Sequence, residues 1–319
     1  MVVSPTYFGI TSDIKGIAEV CHKHGAILMV DEAHGAHCYF SDKLPMGGLT
    51  AGADIVVQSI HKVTGSFGQS SMIHVKSELV DRKQLEANLH LVQSTSPSYI
   101  LMTSLDMARH DMAMRGAQMI DTALALAKEA REAINKIPGM ACAGREIIGN
   151  AGINDLDETR LTISAAALGI TGFALQKMLF EEYNIDMEQA NYHDTLAIVT
   201  FANQKVDLDH LVDALRDIAQ RFANGKPLPP ARRLPPQPEY VISPREAYFS
   251  KKKRVKWEEC KGRISGEMIA PYPPGIPVIY NGERMSDEVW EFLTEYKARK
   301  GHLQGPSDPT LDTILIIEE

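Results

Sequence analysis

Two side chains of opposite charge stand at the ends of two apolar runs. Asp31 closes Ala26-Ile27-Leu28-Met29-Val30, and Lys62 follows Ile55-Val56-Val57 by way of Gln58-Ser59-Ile60-His61. A lysine amine attacks carbonyl compounds only when partly deprotonated, and a cleft lowers its pKa through burial and nearby cations. An anionic aspartate does complementary work by keeping a pyridine nitrogen protonated. The cofactor that uses both groups is pyridoxal 5'-phosphate, with the lysine as its Schiff-base partner and the aspartate at the ring nitrogen. Taken singly, a strand-end aspartate is usually a cap and a lysine past a strand usually a surface group. Together, with Ser59 and His61 beside the lysine, they point to chemistry.

The elements that must position these groups are legible in the hydrophobic pattern. Continuous apolar runs suit strands buried on both faces of a parallel sheet, and open α/β sheets place their ligand sites beyond the carboxyl ends of the strands. Met1-Val2-Val3 reads as strand. Ile14, Ile17, Ala18 and Cys21 recur at helical spacing, with Ser12 placed to cap the helix and Gly25 to end it. Met102 to about Ile137 reads as a long helix. Arg160 to Ala167 and Thr195 to Ala202 read as strands, and Thr171 to Tyr183 and Leu208 to Phe222 as helices. Asn184-Ile185-Asp186-Met187 looks strand-like. Lys251 to Arg254 reads as a solvated turn, and Tyr272-Pro273-Pro274-Gly275-Ile276-Pro277 as a rigid loop, since prolines remove donors and fix φ. The proline-rich Pro227 to Gln237 reads as a semi-rigid connector.

The 319 residues, 44% hydrophobic and 23% charged, describe an ordinary globular chain, and the net charge of −8 offers no general attraction for nucleic acid or an anionic membrane. The sequence shows neither an apolar run of bilayer length nor a signal-peptide pattern, so we expect a cytoplasmic protein. Cys21, Cys38, Cys142 and Cys260 are scattered without metal-ligand spacing and are expected to be reduced thiols, with no metal.

DEAHGAH (Asp31 to His37), QSIHK (Gln58 to Lys62), FGQSSMIHV (Phe67 to Val75), QSTSPSYILMTSLDMAR (Gln93 to Arg109) and GRISGEMIAPYPPGIPV (Gly262 to Val278) resemble the pyridoxal-phosphate-dependent ornithine/lysine/arginine decarboxylases of the aspartate-aminotransferase fold, fold type I. The resemblance runs through essentially the whole chain. It implies an α/β protein: part of a large, mostly parallel cofactor domain over 1–150, a small α/β domain over 151–226 and a C-terminal decarboxylase domain over 227–319. It implies that Lys62 carries the cofactor and returns the proton that replaces carbon dioxide, that Asp31 pairs with the pyridinium, that Ala33 packs on the ring and that Ser59 binds the phosphate. His34 and His61 would line the site. Glu267, and with a weaker claim Glu188, would meet the distal cation of a basic amino acid.

The resemblance also implies a homodimer or higher oligomer, in which Ser94-Thr95-Ser96-Pro97-Ser98 offers a hydroxyl to the partner subunit. Arginine is the expected substrate, ahead of lysine and ornithine. The family carries a Ser/Thr/Gly-rich phosphate turn and a ring-stacking side chain upstream of the segment where this sequence opens. We therefore expect catalysis to require a separate N-terminal half. The alternatives are a non-catalytic partner subunit and an aminotransferase.

Overall fold

The structure is a computed structural model that describes residues 1–150, 152–230, 233–272, 275–299 and 301–318. In chain order its regular elements are β1 (Val2–Val3), β2 (Ile10–Thr11), α1 (Ile14–Lys23), β3 (Met29–Asp31), α2 (Gly48–Ala51), β4 (Ile55–Ser59), α3 (Ile60–Val63), β5 (Ser71–Val75), α4 (Arg82–Val92) and α5 (Tyr99–Ile134). They continue with β6 (Ala141–Cys142), β7 (Asp155–Leu156), β8 (Arg160–Ser164), α6 (Gly172–Tyr183), β9 (Gln189–Ala190), β10 (Asp194–Ile198), α7 (Lys205–Arg221), α8 (Pro244–Phe249), β11 (Lys252–Lys256), β12 (Ala270–Tyr272), α9 (Asp287–Ala298), β13 (His302–Gln304) and β14 (Thr313–Ile317). They group into two compact units, Met1–Ile163 with Leu196–Arg221, and Ser164–Thr195 with Phe222–Glu319.

The first unit is built on a four-stranded sheet in the order β1-β3-β4-β5. β1, β3 and β4 run parallel, with Val30 opposite Val56 and Asp31 opposite Val57, and β5 returns antiparallel beside β4. Val30 and Val56 are fully buried, and Ile14, Ala18 and Leu28 pack with them. Burial of each valine contributes roughly 2 kcal/mol. The cap of α1 is Asp13, whose Oδ1 accepts from Gly16 N at 3.0 Å; Ser12, the residue expected there, lies one position too early. Gly25 closes this helix at φ +68°, a left-handed value that glycine adopts without a steric penalty.

The long helix α5 begins at Tyr99 and ends at Ile134, and buries Ala108, Met112, Gly116, Ile120, Ala123, Ala127 and Ala130 along one stripe. Buried Arg131 near its end donates to the carbonyls of Ala143, Glu158 and Arg160, so a guanidinium joins the helix to the start of β8. α4 escaped the periodicity reading because none of its residues is buried.

The second unit contains α6, capped by Thr171, whose hydroxyl accepts from Ala174 N at 3.1 Å. Its core gathers Trp257, Ile269, Val289, Leu293, Leu311, Ile314 and Ile316. Three local expectations give way here. Asn184 closes α6 in the left-handed region at φ 56°, so the following strand is not Asn184 to Met187 but Gln189–Ala190. The expected basic turn at Lys251 to Arg254 is mostly strand, since Lys252 to Lys256 pair antiparallel with β14 in a register that no local pattern announces. Tyr272 ends a strand paired with β13, while Pro273 and Pro274 of the expected rigid loop lie outside the described residues. The proline-rich segment is partly tied down: Leu228 N donates to Ala166 O, and His193 Nε2 donates to Pro229 O at 2.8 Å.

Candidate active site

Asp31 and Ser59 end neighbouring strands of the first sheet, and the single turn α3 that follows β4 carries His61 and Lys62. Asp31 Oδ1 accepts from Ala33 N at 3.1 Å, which folds Asp31-Glu32-Ala33 into a tight turn and sends the chain into a 3-10 turn at Ala36–Tyr39. Gly35 is required in that turn, because a Cβ there would lie 2.6 Å from Pro5 Cδ and 2.6 Å from Glu32 Cγ. His61 Nδ1 donates to Ser70 O at 2.8 Å, and its other ring nitrogen has no hydrogen-bond partner among the described residues. The hydroxyl of Ser59 makes no cap bond to α3.

Lys62 Nζ donates to His34 Nε2 at 3.1 Å and stands 5.4 Å from the centroid of the Tyr7 ring, which itself contacts the His34 ring at 4.1 Å. His34 is buried, and burial, then the charges of Lys62 and Arg160, hold its pKa down at about 3. It is therefore a neutral imidazole whose Nε2 accepts and whose Nδ1 carries the proton.

Two buried polar clusters support the same turn, and neither figured in the sequence reading. Glu32, 1% exposed, accepts from Gly48 N, Tyr39 Oη and Gln58 Nε2, and Gln58 Oε1 accepts from His74 Nε2. Burial raises the Glu32 pKa. Asp157 and Arg160, both fully buried, form the second: His37 Nε2 lies 2.9 Å and Arg160 Nε 3.2 Å from Asp157 Oδ2, and Arg160 Nη2 donates to His34 O at 3.0 Å. Burial alone would raise the Asp157 carboxyl. The charges of His37 and Arg160, with hydrogen bonds from His37 and Thr159, hold it well below the usual carboxylate range instead. Asp157 and Arg160 bracket a turn 120 or more residues along the chain, so no local spacing relates them to His34 or His37.

The arrangement brings Lys62 to His34, and Asp31 to Ala33. Glu267 and Glu188 belong to the second unit. Both carboxylate oxygens of Glu267 accept backbone N–H groups, from Leu315 and Ser307 at 2.9 Å each, while Glu188 is exposed. In the expected partner-facing segment, Ser94 Oγ accepts from Ser96 N and Ser98 caps α5.

Residues 1–207 match the family model of the Orn/Lys/Arg decarboxylase major domain, and residues 231–306 match that of the Orn/Lys/Arg decarboxylase C-terminal domain. The chain belongs to the Orn/Lys/Arg decarboxylase family. Among members of that family, it is 38% identical to the arginine decarboxylase of Halalkalibacterium halodurans and 37% identical to that of Bacillus subtilis. All of this chain aligns with 65% of the first and 66% of the second, so it spans just under two thirds of these relatives' length. The lysine decarboxylase A of Pseudomonas aeruginosa superposes on 99% of this chain with a TM-score of 0.78 at 20% identity, using 57% of its own length. An alanine–glyoxylate aminotransferase from Nostoc covers 68% of this chain and 60% of its own with a TM-score of 0.52 at 19% identity. At such identities these likenesses concern the fold, which is that of the decarboxylases and aminotransferases.

The donor set suits pyridoxal 5'-phosphate. Lys62 is a half-buried amine that faces a neutral acceptor rather than a carboxylate, Asp31 offers a carboxylate one strand away, and Ser59 and His61 supply a hydroxyl and an imidazole with bonding capacity to spare.

Proposed function

We propose that this chain carries the lysine-bearing part of a pyridoxal-phosphate-dependent decarboxylase acting on a basic amino acid, arginine ahead of lysine and ornithine, and yielding the corresponding amine of polyamine metabolism. The observation that carries this reading is the Lys62 amine held 3.1 Å from a buried neutral imidazole at the carboxyl edge of a parallel sheet. The preference for arginine is supported by relatives named arginine decarboxylase at 36–38% identity.

Lys62 would hold the cofactor carbonyl, Asp31 its ring nitrogen, Ser59 and His61 its phosphate, and Ala33 a ring face. When bound, the cofactor supplies an electron-poor ring that accepts the electron pair left as a carboxylate departs. Asp31 keeps a proton at the ring nitrogen by its negative charge. His34 Nε2 directs the Lys62 amine, and Lys62 Nζ delivers the proton that takes the place of carbon dioxide. Orientation and fixed charge are the protein's contributions.

We further propose a cytoplasmic homodimer or larger oligomer. Support for self-association comes from the surface of α4 and the start of α5, where Leu91, Val92 and Tyr99 are 79–82% exposed. Support for a cytoplasmic site comes from the four unpaired cysteines.

The test is borohydride reduction of the purified chain after addition of pyridoxal phosphate, read by peptide mass. Selective labelling of Lys62, absent from Lys62→Ala, is expected; labelling spread evenly over the surface lysines of a folded sample would end the reading.

A further inference from the structure

The Asp157 carboxylate divides its two oxygens between different tasks. Oδ1 accepts from Thr159 N and Thr159 Oγ1, both within its own turn. Oδ2 faces His37 Nε2 at 2.9 Å and Arg160 Nε at 3.2 Å. Arg160 in turn donates from Nη2 to the carbonyl of His34, and His37 lies three residues beyond His34. One carboxylate oxygen therefore holds the His34 turn at both ends.

The surroundings leave the turn little freedom. Gly9, at φ +79°, brings its backbone so close that a Cβ would meet Arg160 Cγ at 2.6 Å. His34 Nδ1, His37 Nδ1 and Arg160 Nη1 are buried without hydrogen-bond partners among the described residues, and Arg160 Nε meets Asp157 Oδ2 as an ion pair without hydrogen-bond geometry. The imidazoles are thus held from one side only, and nothing else bonded to them corrects a rotation.

We propose that Asp157 is a positioning residue for the Lys62 amine: through His37 and Arg160 it fixes the His34 peptide, and so the direction of the Nε2 atom that receives Lys62 Nζ. This rests on the reading of Lys62 as the reactive amine. Asp157 touches neither cofactor nor substrate, and its effect reaches Lys62 only through His34.

Two readouts separate this proposal from that reading. The side-chain ¹⁵N spectrum of the full chain, assigned for His34 with His34→Gln, reports which ring nitrogen of His34 carries the proton. Wild type is expected to show one tautomer, protonated at Nδ1. Asp157→Asn and Arg160→Lys are expected to show a mixture, and in parallel to lower the ratio of Lys62 to Lys76 trapping by pyridoxal phosphate about tenfold, since one directed hydrogen bond is lost. Thr159→Val removes a bond from Oδ1 only. It is expected to lower stability while leaving the His34 tautomer and the trapping ratio unchanged, which a merely structural cluster would not distinguish.

Should Asp157→Asn not fold, Arg160→Lys and His37→Gln decide, since both keep the carboxylate. A single unchanged His34 tautomer in every folded variant overturns the proposal, as does an equal change in Thr159→Val. Absence of selective Lys62 trapping in wild type would instead overturn the functional reading, and the tautomer result would still decide the positioning role of Asp157.

Discussion

At the scale of single residues, the protonation of His34 links the site to stability. Its pKa is about 3 in the folded protein against an ordinary 6.5, so between those values the unfolded chain binds a proton that the folded chain refuses. The stability this contributes is complete above pH 6.5 and is lost as the pH falls through the window, at up to about 1.4 kcal/mol per pH unit. Burial lowers His74 in the same direction, and the raised Glu32 acts oppositely above its ordinary value of 4.5. The difference between wild type and His34→Gln isolates His34. Denaturant unfolding across the window should show the two proteins converging in acid; parallel pH curves would mean that His34 titrates as it does in the unfolded chain.

At the scale of elements, sheet and caps explain why the site sits where it does. Parallel β3 ends at Asp31, opposite Val57, and β4 runs two residues further to Ser59; the chain turns sharply after each, so His34 and Lys62, 28 apart in sequence, come to 3.1 Å. The orientation of α1 beside this sheet depends on Asp13 accepting from Gly16 N. Asp13→Ala should lower the unfolding free energy by about 1 kcal/mol, and Ser12→Ala by clearly less. Equal losses in urea denaturation would return the capping role to Ser12.

At the scale of the whole molecule, the distribution of apolar surface is informative. Leu91 and Val92 on α4, and Tyr99, Ile100 and Met107 on α5, are each 64–82% exposed. Isolated exposed apolar side chains are ordinary, but several on two successive helices, the first of which buries no residue, support the proposed self-association. Sedimentation velocity should show species larger than the 35.2 kDa chain, and Leu91→Ser with Val92→Ser should shift them toward the monomer. A wild-type protein monomeric at all concentrations would remove the support that this surface lends to a self-associating enzyme.

What the amino-acid sequence determined by itself was whatever rests on local pattern. Apolar runs marked β3 and β4, although the run Ala26 to Val30 overreached, since the strand is Met29–Asp31 and Ala26 and Ile27 are exposed outside it, and 3.6-residue spacing marked α1, α6 and α7. DEAHGAH and QSIHK together with the downstream PYPPGIP carried the resemblance to the family, while an aspartate and a lysine at successive strand ends pointed to the cofactor. Tertiary structure decided what depends on distant segments. The buried Asp157–Arg160 pair, the network around Glu32 and the pairing of β11 with β14 unite residues whose neighbours in sequence give no sign of their neighbours in space. A buried charge is tolerated only where a partner meets it, and the folded chain supplies that partner.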